Sequence, residues 1–206
     1  MKKLLPVSKL IVIALTAVAL FGDQMPSSAE AKPRVGLPLP AITLPDIAGQ
    51  IHCLPVPRNK RCIIFFFCGC SPCHECAQLW AQAQQAKEIS GGQPVRSPQT
   101  IAVFLGDAQG AQHFVTDTGL LPNQTLTLTD STDRVGQEYD VKECPRVFVV
   151  DDRGCLTYTN PDDVYPGDNA NHKPLSAAPL ISRVLTAWHQ LPRARLPHVP
   201  ERKTAR

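Results

Sequence analysis

Residues 61–76 read RCIIFFFCGCSPCHEC. Positions 61–67 are a β-rich, almost wholly apolar run, the composition of a strand buried on both faces. From Cys73 to Ile89 the chain changes to helix formers, CHECAQLWAQAQQAKEI, and Gly91-Gly92 supplies a stop. Between strand and helix lie Cys68, Cys70, Cys73 and Cys76, four thiols within nine residues. The spacing Cys70-Ser71-Pro72-Cys73 places two of them at the helix N-terminus. Unpaired N–H groups and the positive dipole end stabilise a thiolate there. A thiolate is the attacking species in disulfide exchange, and a cysteine three residues on can resolve the mixed disulfide. Pro72 fits the first turn, where its missing N–H costs little. His74 and Glu75 are the nearest groups able to tune the pair. A cationic His74 favours the thiolate and Glu75 opposes it, unless both are merely solvated side chains.

The elements around this stretch alternate. Short strands are expected over 50–54, 100–105 and 125–128, and helices over 108–118, 131–139 and 175–190. A hairpin is expected from RVFVV (146–150), the turn Asp151-Asp152-Arg153-Gly154, and 155–159. Residues 33–45 are proline-spaced and read as an extended leading segment without an element, and 160–174 as a Pro/Asp/Asn-rich loop. Strands alternating with helices and closing in a hairpin predict one α/β domain with a mixed sheet.

The two ends differ from this middle. Lys2, Lys3 and Lys9 precede an apolar run from Leu10 to Phe21, followed by Ala29-Glu30-Ala31. Those twelve residues are shorter than the roughly 20 of a membrane-spanning helix, and the pattern is that of a secretory signal peptide over 1–31. Cleavage after Ala31 removes both methionines, Met1 and Met25, and leaves all eight cysteines in an extracytoplasmic, disulfide-permissive setting. The domain is then expected over 32–192. The formal net charge is only +3. Arg193, Arg195, Arg202, Lys203 and Arg206 crowd a tail over 193–206 that reads as a solvated, disordered end, not a nucleic-acid or membrane site.

A second mark is Cys144-Pro145, directly before RVFVV, where a cis X–Pro bond can turn the chain. With that dipeptide, the sequence resembles the thioredoxin-like superfamily. It is most similar to the extracytoplasmic thiol–disulfide oxidoreductases of the TlpA/ResA type, grouped with the alkyl hydroperoxide reductase/thiol-specific antioxidant proteins. The resemblance runs through VGLPLPAITLPDIAGQ, RCIIFFF, CSPC and its helix, TIAVFLGD, and YDVKECPRVFVVDDRG. It implies a thioredoxin-like fold with a central mixed sheet flanked by helices. It also implies Cys70 as nucleophile, Cys73 as resolving thiol, and Pro145 as the residue that positions a substrate peptide. Protein thiols or disulfides would be the substrates, with an upstream redox partner. Cys68, His74, Glu75, Cys76 and Cys144 become accessory candidates. Four positions depart from the family pattern: Gly69 replaces a usual Trp, apolar Ile64 lies near the place of a buried acid, Cys76 replaces a Glu, and Cys144 replaces a Thr or Val. These bear on redox direction and partner more than on fold.

Other chemistries share parts of the motif. Cys70-Ser71-Pro72-Cys73-His74 satisfies the c-type haem motif, with His52, His113, His172, His189 or His198 as a second axial ligand. Against it stand the strand packed directly before the motif and the lack of a methionine ligand. Cys70, Cys73 and Cys76 with Cys144 can be drawn as a zinc or iron–sulfur site, but Trp80 occupies the usual place of a fourth local ligand. A peroxidatic signature fails, since Phe66 and Cys70 occupy its Pro and Thr/Ser positions. The reading therefore takes no cofactor and no resident metal, keeping a non-enzymatic thiolate module as its rival. Of the other cysteines, Cys53 and Cys62 can bridge a turn, Cys68 and Cys76 can bridge beside the pair, and Cys155 can be a small buried hydrophobe. Trp80 and Trp188 are expected in the core.

Overall fold

The computed structural model describes residues 32–55, 60–89, 99–160 and 177–191. The expected signal peptide, the basic tail, Gly91-Gly92, His172, His198 and most of the 160–174 loop lie outside these. All described residues belong to the compact unit Lys32–Arg206.

The elements are β1 (Ile42–Pro45), β2 (Ile51–Leu54), β3 (Cys62–Phe67), α1 (Ser71–Ile89), β4 (Gln99–Phe104), α2 (Ala108–Thr118), β5 (Thr125–Thr129), α3 (Arg134–Tyr139), β6 (Arg146–Val150), β7 (Leu156–Thr159) and α4 (Ala177–Gln190). Five strands form one sheet in the order β5-β4-β3-β6-β7. β3 runs parallel to β4, and β4 to β5, whereas β6 is antiparallel to both β3 and β7. This is the mixed sheet that the alternating pattern predicts.

β3 is the central strand of this sheet, and all six of its residues are buried. Successive side chains of a strand point to opposite faces. Ile63, Phe65 and Phe67 accordingly join Trp80, Phe114, Val184 and Trp188 in one core. Cys62, Ile64 and Phe66 join Ile42, Leu44, Val135 and Tyr139 in the other. Phe65 packs 4.9 Å from the Trp80 ring, and Phe66 5.0 Å from Phe148. Both tryptophans are core residues, as expected.

The structure corrects several boundaries. The proline-spaced segment contains strand β1, because Ile42 and Leu44 alternate into the second core and register against Leu54 and His52 of β2. Helix α1 begins at Ser71 rather than Cys73, so Cys70 immediately precedes it. Helix α3 begins three residues later than the pattern suggests. The buried Asp130 carboxylate accepts the N–H groups of Thr132, Arg134 and Val135 and fixes the start. Cys155 is half-buried in the hairpin turn and bridges to Pro38, one residue ahead of β7. That turn is held by the Asp151 carboxylate, which accepts from the Arg153 and Cys155 amides.

Candidate functional site

Antiparallel pairing of β3 with β6 sets Phe66 opposite Arg146. The C-terminal end of β3 and the N-terminal end of β6 therefore lie at the same edge of the sheet. Cys68, Gly69 and Cys70 leave that edge on one side, and Cys144-Pro145 enters it on the other. The Cys144–Pro145 peptide is cis. Helix α1 starts at the same place, so its positive end faces the thiols.

The Cys70 and Cys73 sulfurs are 3.4 Å apart, with the Cys70 thiol donating. Cys73 is fully buried and Cys70 partly exposed. The Cys68 sulfur lies 3.8 Å from that of Cys73, and the Cys68 amide donates to the Cys73 sulfur at 3.4 Å. All three sulfurs lie within 4.8 Å of one another. Gly69 makes this possible. Its φ of 82° lies in the left-handed region that glycine adopts without a Cβ penalty, and it folds Cys68 back over Cys73. The Trp common in the resembling family would be strained in that conformation.

The thiols form one hydrogen-bonded network. Hydrogen bonding with the Cys144 thiol first, and then with Cys73, holds the Cys68 thiol far below the ordinary cysteine range. Hydrogen bonding with Cys144 and Cys68, together with desolvation, pushes the Cys73 thiol far up. Cys144 is pushed up to about 12, first by hydrogen bonding with Cys68, with burial adding to the shift. Cys68 is the member of the group whose thiol is held low, and it is the most exposed of them.

The accessory candidates divide. Cys144 and Cys68 join the pair. Cys76 does not: it is fully buried in the first core, one helical turn beyond Cys73, and burial, with the Glu75 charge second, pushes its thiol up to about 12. Cys68 thus meets Cys73 and Cys144, whereas Cys76, to which a bridge was one possibility, lies in the core. The grouping Cys70, Cys73 and Cys76 is likewise replaced by Cys68, Cys70 and Cys73. His74 turns away from the sulfurs. Its Nδ1 donates to the Cys70 carbonyl at 3.2 Å, and its ring meets Phe114 edge-on at 4.8 Å. Glu75 is exposed. The face of β3 beside Cys73 presents Ile63, Phe65 and Phe67, while Ile64 belongs to the opposite core. No carboxylate of β3 underlies the pair. His52 is engaged by Asp46 at 2.8 Å, and His113 and His189 are exposed. All eight cysteines are free thiols, Cys53 exposed and Cys62 buried.

One residue was not singled out by sequence reasoning. Buried Asn160, just past β7, donates from Nδ2 to the Pro145 carbonyl at 3.1 Å, and its Oδ1 accepts the Val147 amide at 2.7 Å. The Arg146 guanidinium donates to the Asn160 carbonyl at 2.7 Å. Asn160 thereby fixes the loop that carries Cys144. An asparagine opening a loop carries no distinguishing sequence signal.

No family model matches the chain. No curated protein matches it by sequence. Solved structures do match. A Chlorobium tepidum structure bearing the name thiol:disulfide interchange protein DsbE shares 22% identity, covering 76% of this chain and 99% of that one, with a TM-score of 0.52. A secreted Mycobacterium tuberculosis disulfide oxidoreductase shares 18%, covering 70% and 95%, with a TM-score of 0.51. A peroxiredoxin-like protein from Aquifex aeolicus shares 12%, covering 76% and 88%, with a TM-score of 0.53. At these identities the likeness is one of architecture. The chain has a thioredoxin-like fold.

Proposed function

We propose that this protein is an exported thiol–disulfide oxidoreductase that exchanges disulfides with protein thiols. The observation that carries the reading is the Cys70–Cys73 sulfur contact of 3.4 Å at the start of α1, beside the cis Cys144–Pro145 loop. Exchange requires an accessible attacking thiol and a protected resolving thiol. Cys70 is partly exposed and Cys73 buried, which suits those roles. In the forward half-reaction, Cys70 sulfur attacks a substrate disulfide and forms a mixed disulfide, releasing one substrate thiol. Cys73 sulfur then attacks Cys70, which releases the second thiol and leaves the Cys70–Cys73 disulfide. The reverse sequence oxidises a substrate dithiol. Pro145, buried beside the thiols, is assigned to position the substrate backbone, and an upstream thiol–disulfide partner resets the pair. Export rests on the leader pattern over 1–31, with the domain following from residue 32. No helix among the described residues is long and apolar enough to cross a membrane.

A second reading concerns which thiol attacks. Cys68 is exposed and its thiol is held low by hydrogen bonding with two neighbouring thiols, so it too can act as nucleophile, with Cys73 at 3.8 Å resolving. One experiment tests both. In Cys73→Ser, mixed disulfides with substrate proteins should accumulate through Cys70, as mapped by mass spectrometry. Accumulation through Cys68 transfers the attack to Cys68. Absence of any trapped species, in a variant that remains folded, would remove the exchange reading itself.

A further inference from the structure

Three sulfurs bound to one cation at about 2.3 Å stand roughly 4.0 Å apart in a trigonal site and roughly 3.8 Å apart in a tetrahedral one. The reduced protein already holds Cys68, Cys70 and Cys73 close to this spacing. The separations to Cys73 are 3.4 and 3.8 Å, and all three lie within 4.8 Å. These are not the three cysteines whose sequence spacing suggests a metal motif. They converge because Gly69 reverses the chain between Cys68 and Cys70. A cysteine pair alone needs no third sulfur at this distance to exchange disulfides.

From this geometry we propose that the reduced protein binds one monovalent copper ion through Cys68, Cys70 and Cys73 as a three-coordinate thiolate site. The choice of cation follows from the donors. Thiolate sulfur selects soft cations, Cu(I) and Zn(II) among them. Zinc and iron–sulfur centres take four ligands as a rule. Among the described residues, the group contains no histidine or carboxylate to serve as a fourth. Cys144 hydrogen-bonds with Cys68 and Cys73 but is not among the sulfurs that all lie within 4.8 Å of one another. Three-coordination is a geometry that Cu(I) accepts readily. Cys73 is buried and Cys68 exposed, which gives the ion a fixed floor and an open side for entry.

Binding moves no electrons: the copper stays Cu(I), and each of the three sulfurs that still carries a proton gives it up to water. It requires the reduced Cys70–Cys73 pair, and a bound ion withholds both sulfurs from exchange. The site does not depend on the exchange reading, because chelation uses the dithiol whether or not a protein substrate exists.

The test is a titration of the full reduced chain with Cu(I) under nitrogen, in competition with bicinchoninate, followed by X-ray absorption at the copper edge. One Cu(I) per chain with three sulfur neighbours at about 2.3 Å is expected. Cys68→Ser should weaken binding by about tenfold or more. Cys76→Ala and Cys53→Ser should leave it within about twofold. Two sulfur neighbours, or binding that survives Cys68→Ser, would overturn the site. So would a loss in Cys76→Ala with its fold intact by circular dichroism, or displacement of the copper by equimolar Zn(II). Should Cys68→Ser fail to fold, the sulfur count on the wild-type protein decides alone. Failure here leaves the trapping result untouched, so the two readings fall separately.

Discussion

Asn160 holds the Pro145 carbonyl from behind, its Nδ2 donating at 3.1 Å while its Oδ1 accepts the Val147 amide at 2.7 Å. A buried polar group that loses its partner costs about 1–3 kcal/mol. Asn160→Ala strands both backbone groups, so urea unfolding should show a loss of about 2–4 kcal/mol. It should also free the loop bearing Cys144, seen as faster alkylation of Cys144 in the folded protein. An unchanged midpoint and alkylation rate would remove Asn160 as the loop's anchor.

Gly69 is the hinge on which the third thiol depends. Its Cβ would meet only Phe104, at 3.5 Å, so space is available and the backbone conformation is the obstacle. Gly69→Ala should cost about 1–2 kcal/mol in thermal or urea unfolding. Where the chain relaxes instead, Cys68 should move off Cys73 and its reactivity toward iodoacetamide at pH 6 should fall. A variant as stable and as reactive as the parent would show that the left-handed turn is incidental.

Cys76 gives a pH dependence with a defined sign. In the unfolded chain its thiol ionises near the ordinary value of 9.0, but in the folded protein burial holds it neutral to about 12. Between these values the unfolded state binds fewer protons, so stability is full below about pH 9 and declines as pH rises toward 12. Tyr139, also raised mainly by burial, acts in the same direction. Cys76→Ala should flatten the fall in unfolding free energy between pH 9 and 11. An identical slope in the variant would contradict the desolvated thiol.

His74 separates charge from packing. Its ring rests on Phe114 and its Nδ1 on the Cys70 carbonyl, with no sulfur contact. His74→Phe keeps the aromatic contact and removes the titratable group. The potential of the Cys70–Cys73 couple should therefore move by less than about 15 mV, half of the 30 mV that corresponds to 1.4 kcal/mol. A larger displacement would assign His74 an electrostatic hold on the pair.

Most of the fold was legible because β3, α1 and the β6–β7 hairpin carry strong local signals: a two-faced apolar run, a block of helix formers, and a turn closed by Asp151 and Gly154. β1 was not, since its prolines mask an alternation that matters only once Ile42 and Leu44 meet β2. The site divides in the same way. Cys70 and Cys73 are three residues apart and announce themselves at the strand–helix junction. Cys76 shares their spacing, yet helical rotation carries it into the core. Cys68 enters because of one glycine's φ, and Asn160 because a strand returns beside Pro145. Both depend on tertiary geometry that residue order does not display.

The register that sets Phe66 against Arg146 has a further consequence for how the protein comes into being. It joins chain segments that synthesis separates by about half of the domain. Such distant pairings form late, after the entropy of closing a long loop has been overcome. Before that moment eight cysteines sample one another, with 105 full pairings open to them. The order in which strands dock therefore decides which sulfurs meet first, and the reactive group is a product of assembly, silent until the sheet is complete.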